Sequence, residues 1–243
     1  MYNENSGLEF CKKVISIIKS VVSKNIESDY SIQRKAHGNF VTTVDKMIEH
    51  ELIINLQKLI PNSGVFAEES GKDLKKEFNW IIDPIDGTTN FINGFQYAVS
   101  VALAHKQLDN ILVGIVYNPK DDICYYGCKG SGSYVIEKGI VTKLQVKNFP
   151  KNEGITVFGM PYDRHKTRKI LDIAQKCYDI SSDMKRIGPS SLDICLVASG
   201  KAKMYVELDL KLWDVAAGVL ILIEAGGSFM QKDDLFIFGN KLE

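Results

Sequence analysis

Apolar residues recur at three- and four-residue spacing in two early segments, and this spacing predicts two amphipathic helices. The apolar positions of the first are Leu8, Cys11, Ile15, Ile18 and Val22. The second is predicted to run from about Asp45 to Leu59, just before Pro61. Its apolar positions are Ile48, Leu52 and Leu56. Both helices are interpreted as structural.

Short β-rich runs replace the helical spacing between Gly64 and about Ile136. The runs are GVFA, WIID, VSVALA, ILVGIVY, ICYYGC and GSYVI. Gly, Asn, Asp and Pro separate them, as is typical of turns between strands. Several strands in succession favour a largely antiparallel or mixed sheet over strict β-α-β alternation.

The charged stretch at 137–153 is the predicted boundary between two halves, residues 1–145 and 146–243. In the second half the pattern predicts a strand (ITVFG), a helix around 166–177, a helix around 190–199, a strand (MYVEL) and a helix that begins near Asp214. The predicted fold class is therefore α+β, with helix and sheet layers in both halves.

Thirty basic residues balance thirty acidic ones in the 243-residue chain. No net field therefore attracts it to nucleic acid or anionic membranes, and no direct nucleic-acid binding is expected. There is no apolar run of about 18 residues and no basic segment before an apolar stretch at the N-terminus, which predicts a cytoplasmic protein without membrane association.

Five cysteines are scattered in mostly apolar surroundings, which fits reduced thiols rather than a disulfide framework. The spacing of Cys124 and Cys128 is that of half a zinc site. No second Cys or His pair lies at a matching distance, so both are interpreted as strand residues.

Three acidic clusters stand where a strand ends or a helix begins. They are AEES at 67–70, WIIDPIDGTTN at 80–90 and LWDVAAG at 212–218, where Asp214 has the position of an N-cap. A single cluster of this kind is usually only a cap or a turn. All three together require another explanation, because burying neighbouring carboxylates without a counter-charge is costly.

A divalent cation removes that cost. The clusters contain no His or Cys, and an oxygen-only shell suits Mg²⁺ rather than Zn²⁺. The segment GTTN adds groups that bind phosphate, since a flexible Gly87 is followed by the hydroxyls of Thr88 and Thr89. These residues predict a site that combines magnesium with a phosphate.

The segments GVFAEES, WIIDPIDGTTNF and LWDVAAG resemble the three motifs of the inositol monophosphatase family, within the lithium-sensitive, metal-dependent phosphatases. The resemblance extends from about Val14 to Gly227. It implies a layered α/β sandwich of the inositol monophosphatase and fructose-1,6-bisphosphatase type, with mixed sheets between helix layers. It also implies hydrolysis of a small phosphate monoester and a homodimer.

The resemblance implies two or three Mg²⁺ ions in each active site. Glu68, Asp83 and the carbonyl of Ile85 would hold the first. Asp83, Asp86 and Asp214 would hold the second, and a third, weaker ion would touch Glu68. The implied reaction is in-line attack of an activated water on phosphorus, without a covalent intermediate.

The resemblance also assigns the nucleophilic water to Thr88 paired with Asp45, with assistance from Glu69. Asp45 is also interpreted as the N-cap of the second helix, and the two roles are compatible. Gly87, Thr88 and Thr89 would hold the phosphate through amides and hydroxyls.

For the substrate's leaving group, the resemblance implies contacts from Glu207, Asp214 and Ser190. Glu207 would accept hydrogen bonds from hydroxyls, although an exposed strand residue is an equal alternative. Ser190 lies in GPSS, which departs from the family pattern. Asp209 and Lys211 are expected beside the leaving-group pocket.

The substrate remains open between alternatives. Inositol monophosphate is the default, and a 3′(2′),5′-bisphosphate nucleotidase or a fructose-1,6-bisphosphatase is the alternative. A second phosphate requires further cations, for which the candidates are Arg186, Lys201, Lys203 and Lys211. A role of a different class is mainly protein binding in transcription, as in some bacterial relatives.

Overall fold

The computed structural model describes residues 7–36, 39–75 and 77–240. Within them the α-helices are α1 (Gly7–Asn25), α2 (Thr43–Leu59), α3 (Thr88–Ile92), α4 (Thr167–Tyr178), α5 (Ser190–Ala198) and α6 (Leu212–Glu224). The strands are β1 (Ile32–Ala36), β2 (Asn39–Thr42), β3 (Gly64–Ala67), β4 (Gly71–Asp73), β5 (Phe78–Asp86), β6 (Ala98–His105), β7 (Ile111–Asn118), β8 (Ile123–Cys128), β9 (Gly132–Glu137), β10 (Ile140–Lys143), β11 (Ile155–Phe158), β12 (Asp183–Lys185), β13 (Met204–Leu208), β14 (Ser228–Lys232) and β15 (Leu235–Gly239).

The strands form two mixed sheets and a hairpin. The larger sheet has the order β10-β9-β8-β7-β6-β5-β3-β4, and the smaller has the order β12-β11-β13-β15-β14. Pairing is antiparallel except between β3 and β5, β11 and β12, and β11 and β13. The hairpin of β1 and β2 stands apart from both sheets.

Two apolar cores hold the layers together. In the first, α1 and α2 cover one face of the larger sheet, and Leu52 and Trp80 are fully buried there. In the second, α5 and α6 lie between the two sheets, and Ile221 and Phe238 are fully buried. The α4 helix packs against β11 and β13. This layered α+β sandwich confirms the predicted fold class.

All six strands predicted between Gly64 and Ile136 are present. Both predicted N-caps are wrong, and β5 is longer than predicted. The α2 helix begins at Thr43, because Thr42 is its N-cap and Asp45 occupies the third helical position. The α6 helix begins at Leu212, so that Asp214 is again third rather than the cap. The β5 strand continues past Asp83 to Asp86.

The β1–β2 hairpin and the strands β4, β10, β12 and β14 were not predicted. The division at 145/146 stays a prediction. None of the described helices has the length and apolarity needed to cross a bilayer.

Candidate active site

An irregularity in β5 brings two carboxylates to one side of the sheet. Asp83 pairs with Ser100 of β6 and Asp86 pairs with Ala98, so β5 carries one extra residue between them. In a regular strand, residues three apart point to opposite faces. The extra residue cancels this difference, and both carboxylates line the same cavity.

This cavity, called here the carboxylate cavity, has a volume of about 160 Å³. Acidic side chains reach it from four places: the end of β3, β5, the turn after β13 and the first turn of α6. The residues that line it are Glu68, Asp83, Ile85, Asp86, Gly87, Thr88, Tyr162, Asp209, Lys211, Trp213 and Asp214. Acidic residues from the three sequence clusters therefore converge in space.

Asp83 is the least compensated of these groups. Its side chain is buried, and its Oδ1 has no hydrogen-bond partner among the described residues. Burial raises its pKa well above the usual range, and the charges of Glu68, Asp86 and Asp214 raise it further. A buried carboxylate oxygen among like charges is a position where a cation is strongly favoured.

The pKa values of the neighbouring carboxylates are raised as well. Burial raises the pKa of Glu68 to about 7, although Lys35 opposes the shift. Burial raises the pKa of Asp86 to about 6, against hydrogen bonds from the backbone. The pKa of Asp214 is also raised, first by burial and then by Asp86.

Three of the carboxylates accept hydrogen bonds from the protein itself. Glu68 Oε1 accepts from Lys35 Nζ at 3.0 Å, Asp86 Oδ2 accepts from the Ser191 amide at 2.7 Å, and Asp214 Oδ2 accepts from the Lys211 amide at 2.6 Å. Among the described residues, no three His, Cys, Asp or Glu side chains are grouped closely enough to form a ligand shell on their own. The all-oxygen donor set and the unpaired Asp83 oxygen fit Mg²⁺.

Thr88 and Asp45 form a buried pair at the edge of the carboxylate cavity. Thr88 Oγ1 donates to Asp45 Oδ1 at 3.0 Å and lies 3.2 Å from the Ile85 carbonyl. Asp45 Oδ2 accepts from the Thr42 amide at 2.9 Å. Gly87 enters α3 with φ of +87°, a conformation that favours glycine. Thr88 therefore links a buried carboxylate to the cavity.

Lys35 and Glu49 bind the segment that carries Glu68 and Glu69. Lys35 Nζ bridges both glutamates, and the carboxylate of Glu49 accepts from the amides of Glu69 and Ser70 at 2.8 Å each. Neither residue was predicted to belong to the site. A single lysine in a polar stretch and a single glutamate in a helix carry no pattern that marks them.

A second cavity of about 420 Å³ adjoins the first. It is called here the leaving-group cavity, and it shares Asp86, Gly87 and Tyr162 with the carboxylate cavity. The remaining residues that line it are Thr89, Asn90, Met160, Pro161, Arg164, Arg186, Ile187, Gly188, Pro189 and Glu207. Besides the shared Asp86, it offers two guanidinium groups and the carboxylate of Glu207.

Glu207 is the carboxylate that the leaving-group cavity does not share with the carboxylate cavity. Burial raises its pKa to about 7, while a hydrogen bond from Tyr205 and the charge of Arg186 oppose the shift. Arg164 and Arg186 make no side-chain hydrogen bond or ion pair with the described residues. Both guanidinium groups can therefore still donate hydrogen bonds to a ligand, while the charge of Arg186 also acts on Glu207.

The sequence profile of the inositol monophosphatase family matches residues 5–235. The chain belongs to the inositol monophosphatase family. It is 37% identical over 219 residues to a protein of Aquifex aeolicus named fructose-1,6-bisphosphatase/inositol-1-monophosphatase, across 87% of this chain and 81% of that protein. It is also 37% identical over 197 residues to the putative Nus factor SuhB of Neisseria meningitidis serogroup B, across 79% of this chain and 74% of that protein.

A solved structure has a similar fold. The crystal structure of the extragenic suppressor protein suhB from Bartonella henselae matches with a TM-score of 0.84 and 28% identity. The match covers 95% of this chain and 93% of that chain. Membership in the inositol monophosphatase family supports a phosphatase for this chain, and the names of the relatives leave the substrate open.

Most of the site residues expected from the family lie together. Glu68, Asp83, Ile85, Asp86, Asp214, Gly87 and Thr88 line the carboxylate cavity, and Thr89 and Glu207 line the leaving-group cavity. Asp45 reaches the cavity through Thr88. Glu69 does not line either cavity, because its carboxylate turns to Lys35. Its catalytic role stays a prediction.

Several predicted substrate contacts lie elsewhere. Ser190 lines neither cavity, since its hydroxyl turns to Glu207. Asp209 and Lys211 line the carboxylate cavity rather than the leaving-group cavity. Lys201 and Lys203 line neither. Of the four proposed extra cations, only Arg186 reaches the leaving-group cavity.

Proposed function

We propose that this protein is a Mg²⁺-dependent phosphatase that hydrolyses a small phosphate monoester similar to inositol monophosphate. One observation carries the proposal. The unpaired, buried oxygen of Asp83 stands among like charges, beside the Thr88–Asp45 pair. A pure binding protein has no need of such a costly arrangement.

The proposed ligand sets use the residues of the carboxylate cavity. Glu68, Asp83 and the Ile85 carbonyl would hold one Mg²⁺. Asp83, Asp86 and Asp214 would hold another, and a third ion is expected at Glu68. When bound, Mg²⁺ supplies Lewis-acid activation of water and of phosphate oxygens.

The chain's own groups then orient the reactants. The Thr88 hydroxyl donates to Asp45 Oδ1, so its lone pairs can accept from an attacking water while Asp45 holds the hydroxyl in place. The first-turn amides of a helix lack intrahelical acceptors, and those that follow Gly87 would bind the phosphoryl oxygens together with Thr89. Glu207 would accept a hydrogen bond from a hydroxyl of the leaving group.

A substrate with a second phosphate is the second candidate. Arg164 and Arg186 make no side-chain hydrogen bond or ion pair with the described residues, and both line a cavity larger than the carboxylate cavity. Guanidinium groups bind phosphate through paired hydrogen bonds. A sugar bisphosphate or a nucleotide with two separate phosphates would engage them.

We also propose a cytoplasmic homodimer, on family grounds. The Nus factor name of the Neisseria relative keeps a protein-binding role in transcription as an alternative to catalysis. Asp86→Asn separates the two roles. Loss of both phosphatase activity and the cellular phenotype supports the enzyme, whereas a retained phenotype supports the binding role.

The decisive experiment is a substrate panel assayed with Mg²⁺ and with excess chelator. The panel contains inositol 1-phosphate, fructose 1,6-bisphosphate, 3′-phosphoadenosine 5′-phosphate and phenyl phosphate. We expect turnover of at least one compound with Mg²⁺ and none with chelator. Full activity in chelator, or no turnover of any compound, would contradict the proposed function.

Arginine variants resolve the second candidate. Arg164→Ala and Arg186→Ala should raise KM selectively for the two-phosphate compounds, because only these present a second anion. Lys201→Ala is the matched control, since Lys201 lines neither cavity. Equal effects on one-phosphate and two-phosphate compounds would eliminate the two-phosphate substrate.

A further inference from the structure

The carboxylate of Glu207 is held by two hydroxyl groups that the family motifs do not include. On β13, alternation places Tyr205 and Glu207 on the same face. The Tyr205 hydroxyl donates to Glu207 Oε2. The Ser190 hydroxyl, at the start of α5, donates to the same oxygen at 3.3 Å. Both hydrogen bonds thus converge on Oε2.

The ring of Tyr205 has little freedom to move. Its side chain is fully buried in the core between the two sheets. It lies opposite Phe238 of β15, with ring centroids 5.3 Å apart and an interplanar angle of 17°. The donor to Glu207 is therefore fixed by the packing of two neighbouring strands.

Gly159 packs closely against the carboxylate of Glu207. A Cβ added to Gly159 would lie 1.9 Å from Glu207 Oε2, far inside van der Waals contact. The backbone there is fixed, because the Gly159 amide donates to the Val206 carbonyl at 3.0 Å. The carboxylate therefore occupies space that only glycine leaves open.

The other oxygen, Oε1, has a different environment. It has no hydrogen-bond partner among the described residues, and Glu207 lines the leaving-group cavity. An ionised carboxylate is an acceptor only. With Oε2 committed to two protein hydroxyls, Oε1 is the oxygen that can accept from a ligand.

We propose that Tyr205 and Ser190 are positioning residues: by holding Glu207 Oε2, they keep Oε1 directed at the leaving-group hydroxyl that the proposed function assigns to Glu207. This inference rests on the proposed phosphatase function and adds a specificity device to it. A leaving group without hydroxyls gains nothing from Oε1. The site therefore favours polyol phosphates over aryl phosphates.

The test compares inositol 1-phosphate with phenyl phosphate, which lacks a hydroxyl on its leaving group. Tyr205→Phe deletes the donor and keeps the ring. We expect the KM for inositol 1-phosphate, divided by the KM for phenyl phosphate, to rise about five- to twentyfold. The kcat values should change much less. Ser190→Ala should shift the KM ratio in the same direction by a smaller factor, since its hydrogen bond is longer.

Tyr125→Phe is the matched control, because Tyr125 is also buried but lines neither cavity. It should leave the ratio unchanged. Equal losses for both substrates in Tyr205→Phe, or an unchanged ratio, would overturn the inference. If Tyr205→Phe fails to fold, the ratio in Ser190→Ala decides in the same way. No turnover of either substrate by the wild type would overturn the proposed function and the inference together.

Discussion

Asp83→Asn tests the electrostatics of the carboxylate cavity without reference to any substrate. Asn has nearly the shape of Asp but no charge. Asp83 is 2% exposed, its Oδ1 has no partner among the described residues, and four neighbouring carboxylates oppose its ionisation. The amide of Asn can donate to those neighbours. We therefore expect the variant to be more stable than the wild type when Mg²⁺ is absent.

The expected rise in melting temperature follows from the free energy gained and the size of the chain. Removing strain of this kind at a functional site typically stabilises by about 0.5–2 kcal/mol. For a protein of this size each kcal/mol raises the melting temperature by about 2–4 °C. The expected gain in chelator is therefore about 1–8 °C.

Magnesium should reverse the order of the melting temperatures of the wild type and Asp83→Asn. At 100 times its dissociation constant, a ligand stabilises the native state by about 2.7 kcal/mol, or about 5–11 °C here. The wild type should show this shift. Asp83→Asn should lose most of it, because a neutral amide oxygen is a weak substitute for a carboxylate shared by two ions.

Melting curves in chelator and in saturating Mg²⁺ measure both effects. Asp193→Asn is the matched control, since Asp193 Oδ1 is also buried without a partner but Asp193 lines neither cavity. It should keep the full Mg²⁺ shift. An Asp83→Asn protein that melts below the wild type in chelator, or that keeps the Mg²⁺ shift, would refute the reasoning.

The remaining predictions concern turnover and recognition. Thr88→Val should lower kcat about 10²- to 10⁴-fold, because it removes the hydroxyl that accepts a hydrogen bond from the attacking water. It should preserve the Mg²⁺ melting shift, because Thr88 is not a proposed metal ligand. Steady-state kinetics and melting curves measure the two effects. Gly159→Ala should raise KM for a polyol phosphate by displacing Glu207, and an unchanged KM would contradict the close contact. Ca²⁺ should give a melting shift without turnover, since it tolerates irregular geometry, and Li⁺ should inhibit in the Mg²⁺ assay, as in the inositol monophosphatase family.

Much of the fold could be predicted because its signals are local. The strands between Gly64 and Ile136 are apolar runs separated by turn residues, and the three acidic clusters stand at strand ends or in a first helical turn. The missed strands are short or at sheet edges. β4 and β12 have three residues each, which is too short for an alternation to be recognised.

The errors at helix starts also have a local cause. In the segment Thr42 to Asp45, the threonine caps the helix and the aspartate returns a hydrogen bond to the Thr42 amide at 2.9 Å. An acidic residue three positions after a threonine indicates this capping box. This spacing identifies Thr42, and not Asp45, as the N-cap.

The parts of the site that escaped prediction depend on tertiary contacts. Lys35 bridges two glutamates from a hairpin far away in sequence, and Glu49 reaches the same segment from within a helix. Arg164 follows β11 and Arg186 precedes α5, and only the tertiary fold brings both to the lining of one cavity. The bond from Tyr205 to Glu207 was not predicted either, although strand alternation places the two side chains on one face.

Anomalous diffraction from crystals grown with Mn²⁺ in place of Mg²⁺ tests the central claim most directly. The account predicts at least two peaks inside the carboxylate cavity, bounded by Glu68, Asp83, Asp86 and Asp214. No peak in that cavity at saturating Mn²⁺, in a protein that still hydrolyses a phosphate ester, would contradict it.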